Sequence, residues 1–329
     1  MNNHKLRLIM GHPGRFKAIF DGRVSIEGVD LQTSLMPFND LFRVVPQEDD
    51  FDVAELSTTA TLWGIASGRD WIALPVFTGW AFAAHTDTVC NRSAKIESPL
   101  DLKGKRIGVP EYPVAAILWI RDALEQQYGL RQQDMQWFEQ RNKEQSHYRL
   151  MDYSAPQDVP MQTLPRGKTL DEALIAGELD AVIRYLPGRP GQLSIQDLGA
   201  HPSVKWLYQD RKTEGIAHCR RQGFFEPIHL LIMKRRIAEE HPELPMRLVE
   251  AFAKALQFSD EDWVVPASYE LSLAEQIDSG GPDFSPVGVQ SNRGALQRLL
   301  ELAHRQGFTR GDAPLPLQSV FHPATLSRI

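Results

Sequence analysis

The sequence predicts an α/β protein in which short buried strands alternate with helices. Short apolar runs recur along the chain and are separated by segments with helical periodicity. The chain has 329 residues, which is enough for two domains at roughly 100–200 residues each. Hydrophobic residues make up 42% and charged residues 24%, as in an ordinary globular protein. Because strands that alternate with helices usually pair in parallel, we expect parallel sheets.

The first third of the chain predicts one set of strands and helices. Leu6–Met10 is a short apolar run that is typical of a buried strand, and a loop rich in glycine and proline follows it. Pro75 lies within the run Ile72–Phe77 and indicates an edge strand or a strand end. The other strands expected here are Gly28–Leu35 and Asp52–Leu56, and the helices are Phe16–Asp21, Phe38–Val45 and Thr58–Ser67.

The middle third predicts a second set of elements. Arg106–Val109 is a strand that ends at a proline, and the helix Val114–Gln127 follows it, with Gly129 as its C′ residue. Thr169 and Glu172 have the spacing of a capping box, which begins a short helix. We further expect a strand at Leu179–Tyr185, a loop at Pro187–Gly191 and an irregular polar segment over residues 139–168.

Two amphipathic helices are expected in the last third. Pro242–Phe258 and Ser291–Arg305 each place leucine and other apolar residues on one face, and Ser291 is the expected N-cap of the second helix. The apolar run Leu230–Met233 predicts a further buried strand.

Composition excludes several classes of function. The 36 basic and 42 acidic residues give a net charge of −6, which argues against a nucleic-acid coat. No apolar run approaches the ~18 residues of a membrane span. Cys90 and Cys219 match no metal-ligand spacing and indicate no disulfide scaffold. The first residues lack the apolar stretch of a secretory signal, so we expect a cytoplasmic protein.

Several segments resemble one family. The runs Asp101-Leu-Lys-Gly-Lys-Arg-Ile-Gly-Val and Leu174-Ile-Ala-Gly-Glu-Leu-Asp-Ala-Val resemble the second lobe of type 2 periplasmic-binding-protein folds. The segments that narrow the likeness are Val53-Ala-Glu-Leu-Ser57, Ala73-Leu-Pro-Val-Phe77, Gly108-Val-Pro-Glu-Tyr112, Gly223-Phe-Phe-Glu-Pro-Ile-His229 and Phe321-His-Pro-Ala-Thr325. Together, over nearly the whole chain, they resemble the 4,5-dihydroxyphthalate decarboxylase family of cytoplasmic enzymes.

This resemblance implies a two-lobed type 2 periplasmic-binding-protein-like fold with a central interlobe cleft. We expect residues 1–92 and 223–329 to form a discontinuous lobe I, and residues 93–222 to form lobe II. The implied activity is that of a carboxy-lyase, a cofactor-independent decarboxylase of a hydroxylated aromatic carboxylate, either 4,5-dihydroxyphthalate-like or a related monocarboxylate. A non-catalytic solute-binding protein for a small organic anion, and a lyase or dehydratase on the same fold, stay open as alternatives.

One segment departs from the family pattern. Phthalate-type members continue after the Pro75–Phe77 strand with Ser-Arg and then Phe-Arg-His, whereas this chain has Thr-Gly-Trp-Ala-Phe-Ala-Ala-His. Trp80 and Ala83 stand where the arginines are expected, and His85 is one place late. Since arginine is suited to bidentate binding of carboxylates, this departure predicts a preference for a monocarboxylate over a dianionic phthalate.

Three residues are candidate catalytic groups. His229 adjoins a buried strand and His12 lies in the first loop, and either imidazole is a candidate proton donor near neutral pH. For His229 the alternative is a hydrogen-bonded core histidine. Glu55 lies inside a predicted strand, where a charge is costly unless it is paired. It is either an ion-pair partner of Arg15 or a general base for the phenol.

The candidates for substrate binding follow predicted strands, because ligands of open α/β sheets lie beyond the carboxyl ends of strands. They are Arg15, Ser57, Thr58, Trp80, Phe82, His85, Tyr112 and Arg184. The two arginines suit an anionic oxygen, and the alternative for each is a solvated charge. The helix starts near Ser57 and Tyr112 offer backbone N–H groups to an anion, or the hydroxyls are only caps. The two aromatic residues Trp80 and Phe82 would form an apolar wall.

No cofactor is expected. The chain lacks the Gly-x-Gly-x-x-Gly and Gly-x-x-x-x-Gly-Lys-Ser/Thr patterns of nucleotide-binding loops. The spacing of His12, His85 and His229 matches no metal-ligand motif, although the question whether a divalent metal assists the reaction stays open. The expected partner is a small aromatic carboxylate substrate. We expect no binding to nucleic acid or to a membrane, and assembly into a homo-oligomer stays open.

Overall fold

The computed structural model describes residues 4–48, 50–142, 144–184, 192–259, 265–281 and 283–327. These residues form two compact units. The first consists of the described residues within 1–80, 227–265 and 281–329, and the second of those within 81–226 and 266–280. The lobe boundaries at 92–93 and 222–223 stay a prediction, and the sequence did not indicate that residues 266–280 belong to the second unit. Tyr185 and the Pro187–Gly191 loop lie outside the described residues.

Strands and helices alternate over part of the chain, as the sequence predicted. The strands are β1 (His4–Met10), β2 (Val29–Leu35), β3 (Val53–Ser57), β4 (Trp71–Ala81), β5 (Thr88–Asn91), β6 (Arg106–Val109), β7 (Gln136–Glu139), β8 (Met161–Thr163), β9 (Ala181–Ile183), β10 (Val204–Trp206) and β11 (Glu226–Lys234). The helices are α1 (Lys17–Phe20), α2 (Phe38–Val44), α3 (Thr58–Ala66), α4 (Ala115–Tyr128), α5 (Leu170–Ile175), α6 (Ile195–Ala200), α7 (Arg211–Gln222), α8 (Arg235–Glu240), α9 (Leu244–Ala255), α10 (Leu273–Gly280), α11 (Arg293–Arg305) and α12 (Leu317–Val320).

The sheet of the first unit has the strand order β2-β1-β3-β11-β4. Strand β1 pairs in parallel with β2 and β3, as expected, whereas β11 runs antiparallel to β3. Pro75 lies in β4, which is the last strand of this order, so the predicted edge position is confirmed. Side chains such as Leu8, Val53 and Leu231 pack in one buried core with Phe252 of α9.

The sheet of the second unit has the order β10-β5-β9-β6-β7-β8. Strands β6, β7 and β8 pair in parallel, and β9 is parallel to β6, whereas β5 runs antiparallel to β9 and β10. The expectation of parallel sheets is therefore only partly right for either unit. Strands β11 and β5 each run opposite to a neighbouring strand, which alternation of elements along the sequence does not reveal.

Several local predictions are confirmed at their caps. Gly129 ends α4 in the left-handed conformation with φ 68°, which glycine adopts without a steric penalty. Thr169 and Glu172 form the predicted capping box of α5. The predicted cap of α11 is wrong, because the helix begins at Arg293 after Asn292, whose amide donates to the carbonyls of Pro286 and Gly288.

Two predicted segments differ in detail. The helix expected from residue 242 begins at Leu244 and ends at Ala255, with a single 3₁₀ turn to Phe258. The segment 139–168, expected to be irregular, contributes the short edge strand β8 and a 3₁₀ turn at Arg149–Met151. Within the described parts of the chain, no helix is both long enough and apolar enough to cross a membrane.

Candidate active site

A buried carboxylate lies in the middle of the sheet of the first unit. Glu55 is the third residue of β3, and its side chain is 1% exposed. Its Oε2 accepts a hydrogen bond of 2.9 Å from the N–H of Gly11, and its Oε1 accepts one of 2.7 Å from Oγ1 of Thr78. A buried carboxylate is costly unless donors or a cation compensate for the lost water. Glu55 is thus held by groups at the ends of β1 and within β4.

The imidazole of His229 lies next to this carboxylate. Strand β11 pairs antiparallel with β3, so that His229 lies opposite Ser57 and Leu231 lies opposite Glu55. Residues two apart on a strand share a face, which makes His229 and Glu55 diagonal neighbours. Nδ1 of His229 lies 3.3 Å from Oε1 of Glu55, and the histidine side chain is 14% exposed. The carboxylate favours a proton on Nδ1, which leaves Nε2 as the atom that can exchange a proton with another group.

Two glycines make room for this pair and its neighbours. A Cβ atom at Gly79 would stand 2.8 Å from Nδ1 of His229, and one at Gly11 would overlap the ring of Phe38. Neither glycine has a positive φ, so the requirement is for close approach and not for an unusual backbone. Any other residue at these two positions would displace the imidazole or the phenyl ring.

Two phenylalanine rings flank the imidazole of His229. The ring centroids of Phe38 and Phe42 lie 5.3 Å and 4.8 Å from that of His229. Both phenylalanines belong to α2, and Phe38 is 41% exposed. An exposed aromatic side chain next to a partly buried histidine is suited to contact a flat apolar ligand.

Arg15 lies beside the same stretch of β4. Its guanidinium donates hydrogen bonds to Oγ of Ser285 at 2.7 Å and to the carbonyl of Phe77 at 3.4 Å. Burial lowers the pKa of Arg15 to about 10, and Asp283 acts in the opposite direction. The group therefore stays charged at neutral pH. The predicted ion pair between Glu55 and Arg15 stays a prediction, and the imidazole that lies 3.3 Å from the Glu55 carboxylate is that of His229.

The remaining candidates of the first unit have largely structural contacts. Ser57 is the N-cap residue of α3, and its hydroxyl lies 2.9 Å from that of Thr59. Thr58 is fully buried and donates to the carbonyl of Pro227 at 3.3 Å. Trp80 is 4% exposed and packs on Phe77 with 5.3 Å between ring centroids. These contacts fit a structural role for the three side chains.

His12 differs from those residues because it is exposed. It follows Gly11 in the loop after β1, and its Nδ1 accepts a hydrogen bond of 2.9 Å from the N–H of Gly14. Because Nδ1 accepts this bond, the proton of the neutral imidazole is on Nε2. His12 therefore keeps the geometry of a second candidate proton donor.

Two candidates of the second unit are core residues. Phe82 is 2% exposed and packs on Phe225 at 5.1 Å between ring centroids. Tyr112 is fully buried; its hydroxyl donates to Gln132 at 2.5 Å, and its N–H donates to Glu139 at 2.8 Å. Helix α4 begins only at Ala115, so the expected helix start at Tyr112 is displaced. We therefore leave both residues out of the candidate site.

Arg184 and His85 are also buried in the second unit. Arg184 is 2% exposed and forms an ion pair of 2.6 Å with Asp171. His85 is 1% exposed, stacks on His218 with 4.5 Å between centroids, and lies 3.6 Å from Glu214. Burial lowers the pKa of His85, and Glu214 acts in the opposite direction. Arg184 is thus paired within the second unit and His85 is buried in it, and we leave both residues out of the candidate site.

Sequence reasoning missed several groups of the candidate site. Thr78 and Gly79 directly follow the predicted strand Ile72–Phe77, and in the structure they lie within β4. Phe42 was assigned only to a helix, and it lies with Phe38 in α2, which follows β2. The available signal was position, since these groups lie in the last part of β4 or in the helix that follows β2.

This chain shares its fold with a solved structure. The periplasmic sulfonate-binding protein SsuA from Methylobacillus flagellatus superposes with a TM-score of 0.57 at 13% sequence identity, and the match covers 98% of this chain and 93% of that one. At this identity the likeness concerns the fold alone. The predicted fold of the periplasmic solute-binding proteins is confirmed.

Sequence comparison identifies the family. No family model matches the chain. The chain is 32% identical over 334 residues to the 4,5-dihydroxyphthalate decarboxylase of Comamonas testosteroni, covering 99% of this chain and 98% of the relative. It is 36% identical over 211 residues to the 4,5-dihydroxyphthalate decarboxylase of Pseudomonas putida, covering 64% and 79%. The chain belongs to the 4,5-dihydroxyphthalate decarboxylase family and is a carboxy-lyase. Of the functions that the sequence left open, these relatives support the decarboxylase.

Proposed function

We propose that this protein decarboxylates a hydroxylated aromatic carboxylate without a cofactor, with His229 as the proton donor. The observation that carries the proposal is the buried Glu55 carboxylate 3.3 Å from Nδ1 of a partly exposed histidine. Two relatives named 4,5-dihydroxyphthalate decarboxylase support the type of substrate.

The reaction requires a group that donates a proton to the substrate. Loss of carbon dioxide leaves an electron pair on carbon, and this pair needs an acceptor. In a hydroxylated ring, the phenol oxygen supplies electrons so that the carbon bearing the carboxylate can take a proton. The bond from this carbon to the carboxylate then breaks, its electron pair restores the aromatic ring, and carbon dioxide leaves. The transferred proton replaces the carboxylate, so the enzyme must deliver one proton at that carbon.

The Glu55–His229 pair is suited to that delivery. In this scheme, Nε2 of His229 gives its proton to the ring carbon, and the neighbouring carboxylate stabilises the imidazolium before the transfer. Both oxygens of Glu55 already accept hydrogen bonds, from Gly11 and Thr78. We therefore assign Glu55 as a positioning residue for His229, which replaces the role of a base for the phenol expected from the sequence.

The surroundings of His229 support an aromatic substrate with a single anchored carboxylate. The partly exposed Phe38 and its neighbour Phe42 offer an apolar wall beside the imidazole. Arg15 provides a positive charge next to Phe77 on β4. With Trp80 and Ala83 where the family has arginines, we propose a preference for a monocarboxylate over 4,5-dihydroxyphthalate.

The test is release of carbon dioxide by the purified chain after treatment with a chelator. A panel containing 4,5-dihydroxyphthalate and 3,4-dihydroxybenzoate covers the dianion and a monocarboxylate. We expect turnover to persist after chelation and kcat/KM to be higher for the monocarboxylate. Turnover that needs an added metal would overturn the cofactor-independent reaction, and a higher kcat/KM for the phthalate would overturn the preference.

A matched pair of variants tests the proton donor. We expect His229→Asn to lower kcat by about 10²–10⁴-fold, and His12→Asn to change it much less. Both variants should unfold at temperatures close to that of the parent chain. The reverse order of effects would transfer the role of the donor to His12.

A further inference from the structure

We propose that His4, His241 and Glu243 form a binding site for a divalent transition-metal ion such as Zn²⁺. Among the described residues, one ligand atom from each of these three side chains lies within 4.8 Å of the other two. The two imidazole rings are in contact, with 4.1 Å between their centroids. The proposal is independent of the decarboxylase reaction, since His4 and the Gly11 that binds Glu55 lie at opposite ends of β1.

The fold holds the backbone of all three residues. His4 begins β1, and its N–H donates to the carbonyl of Gly28 at 2.8 Å. His241 directly follows α8, and its N–H donates to the carbonyl of Ile237 at 2.9 Å. Glu243 directly precedes α9. The ligands therefore need only side-chain rotation, and not backbone movement, to converge on one ion.

Geometry and charge both suit zinc. Bonds of about 2.0–2.1 Å in a tetrahedral site place neighbouring ligand atoms about 3.4 Å apart, which rotation about side-chain torsions can reach from 4.8 Å. Two imidazole nitrogens and one carboxylate oxygen are a usual donor set for zinc, with water in the fourth position. Glu240 adds a second carboxylate 3.8 Å from Nε2 of His241. The two imidazoles bind as neutral ligands, and the two carboxylates together carry the two negative charges that balance a dication.

A bound ion would cross-link two distant segments of the first unit. It would join the start of β1 to the junction of α8 and α9, although His4 and His241 are more than two hundred positions apart in the sequence. The unfolded chain offers no such preformed set, so the ion would bind the folded state preferentially. The thermal midpoint should then rise when metal is added.

Isothermal titration of the chelator-treated full chain with ZnCl₂ tests the site. We expect one equivalent to bind, and we expect His4→Gln/His241→Gln to bind at least about tenfold more weakly. His201→Gln is the matched control, because this partly exposed histidine belongs to no such cluster among the described residues. Added Zn²⁺ should raise the Tm of the parent and the control, but not that of the double variant.

A second variant and a second metal ion extend the test. If the double variant does not fold, Glu243→Gln replaces it, with Co²⁺ as the probe and its visible absorption reporting a four-coordinate site in the parent only. Unchanged zinc affinity in the ligand variants would overturn the proposal. Loss of binding in His229→Asn, with binding retained in the ligand variants, would overturn it by placing the metal beside Glu55.

Discussion

Gly79 lies next to the imidazole of His229, and a Cβ atom added to this glycine would stand 2.8 Å from Nδ1. The preceding residue, Thr78, donates its hydroxyl hydrogen to Glu55. One short stretch of β4 thus holds the carboxylate and leaves space for its histidine partner. The position of the proposed proton donor depends on a residue that has no side chain.

Gly79→Ala should displace the imidazole without removing any functional group. A shift of about 1 Å at a reacting group costs on the order of 10²-fold in rate, so we expect kcat to fall by about 10–100-fold with a much smaller change in KM. Steady-state kinetics with a thermal melt checks this expectation. Unchanged kcat in a folded variant would show that His229 tolerates the added methyl group, or takes no part in catalysis.

Glu55→Gln should lower kcat by about 10²–10⁴-fold, because the amide cannot stabilise the imidazolium of His229 as a carboxylate does. Thr78→Val removes only the hydroxyl donor of Glu55, and we expect a smaller loss in kcat. Glu27→Gln, on an exposed residue, is the control for the change in charge. Equal kcat in Glu55→Gln and in the control would contradict the positioning role.

Phe38→Ala should raise KM for an aromatic substrate more than it lowers kcat. The side chain is already 41% exposed, so its loss should cost the folded state less than about 1 kcal/mol. Leu35→Ala is a matched control, since that leucine is also exposed, at 53%, and ends β2. The same KM in both variants would remove Phe38 from the substrate wall.

Arg184→Leu should lower the free energy of unfolding by about 3–5 kcal/mol, because it leaves Asp171 as a buried charge without its cation. The double variant with Asp171→Leu should recover much of this loss. Denaturant titration of the three chains provides the comparison. If the single variant instead raises KM at unchanged stability, Arg184 binds an anionic oxygen of the substrate, which is the role that the sequence predicts.

Acid should destabilise the protein in part through His85. Burial lowers the pKa of this imidazole in the folded protein, and the unfolded chain protonates it near the ordinary value of about 6.5. As the pH falls below that value, the unfolded state binds a proton that the folded state resists, so the free energy of unfolding decreases until the pH has passed the lowered pKa. Glu214 lies 3.6 Å from His85, and the ring of His85 contacts that of His218, which lies 3.0 Å from Glu226.

His85→Phe should therefore flatten the pH dependence of stability below about pH 6.5. Urea titrations of the variant and the parent at several pH values measure this slope directly. The exposed control His201→Gln should keep the slope of the parent. An equally steep loss in His85→Phe would assign the acid response to other groups.

Much of the fold was predictable because its signals are local. Gly129 and the Thr169–Glu172 capping box mark helix ends through backbone conformation and hydrogen bonds within a few residues. Glu55 stood out for a similar reason, since a charge inside an apolar strand needs a partner wherever that strand lies. Its actual partner was not predictable, because pairing with His229 depends on the register of two strands far apart in the sequence.

By itself, the sequence determined the α/β class, the resemblance to a decarboxylase family and the candidate histidine and carboxylate. The class and the candidate residues follow from apolar periodicity, caps and residue types that act over short distances along the chain, and the resemblance rests on several short sequence segments. Tertiary structure alone decided that β11 returns antiparallel beside β3, that Gly79 makes room for His229, and that Tyr112 and Phe82 belong to the core. The physical reason is that burial and side-chain contact are set by which distant segments pack together, and a single residue type fits equally well in a site or in a core.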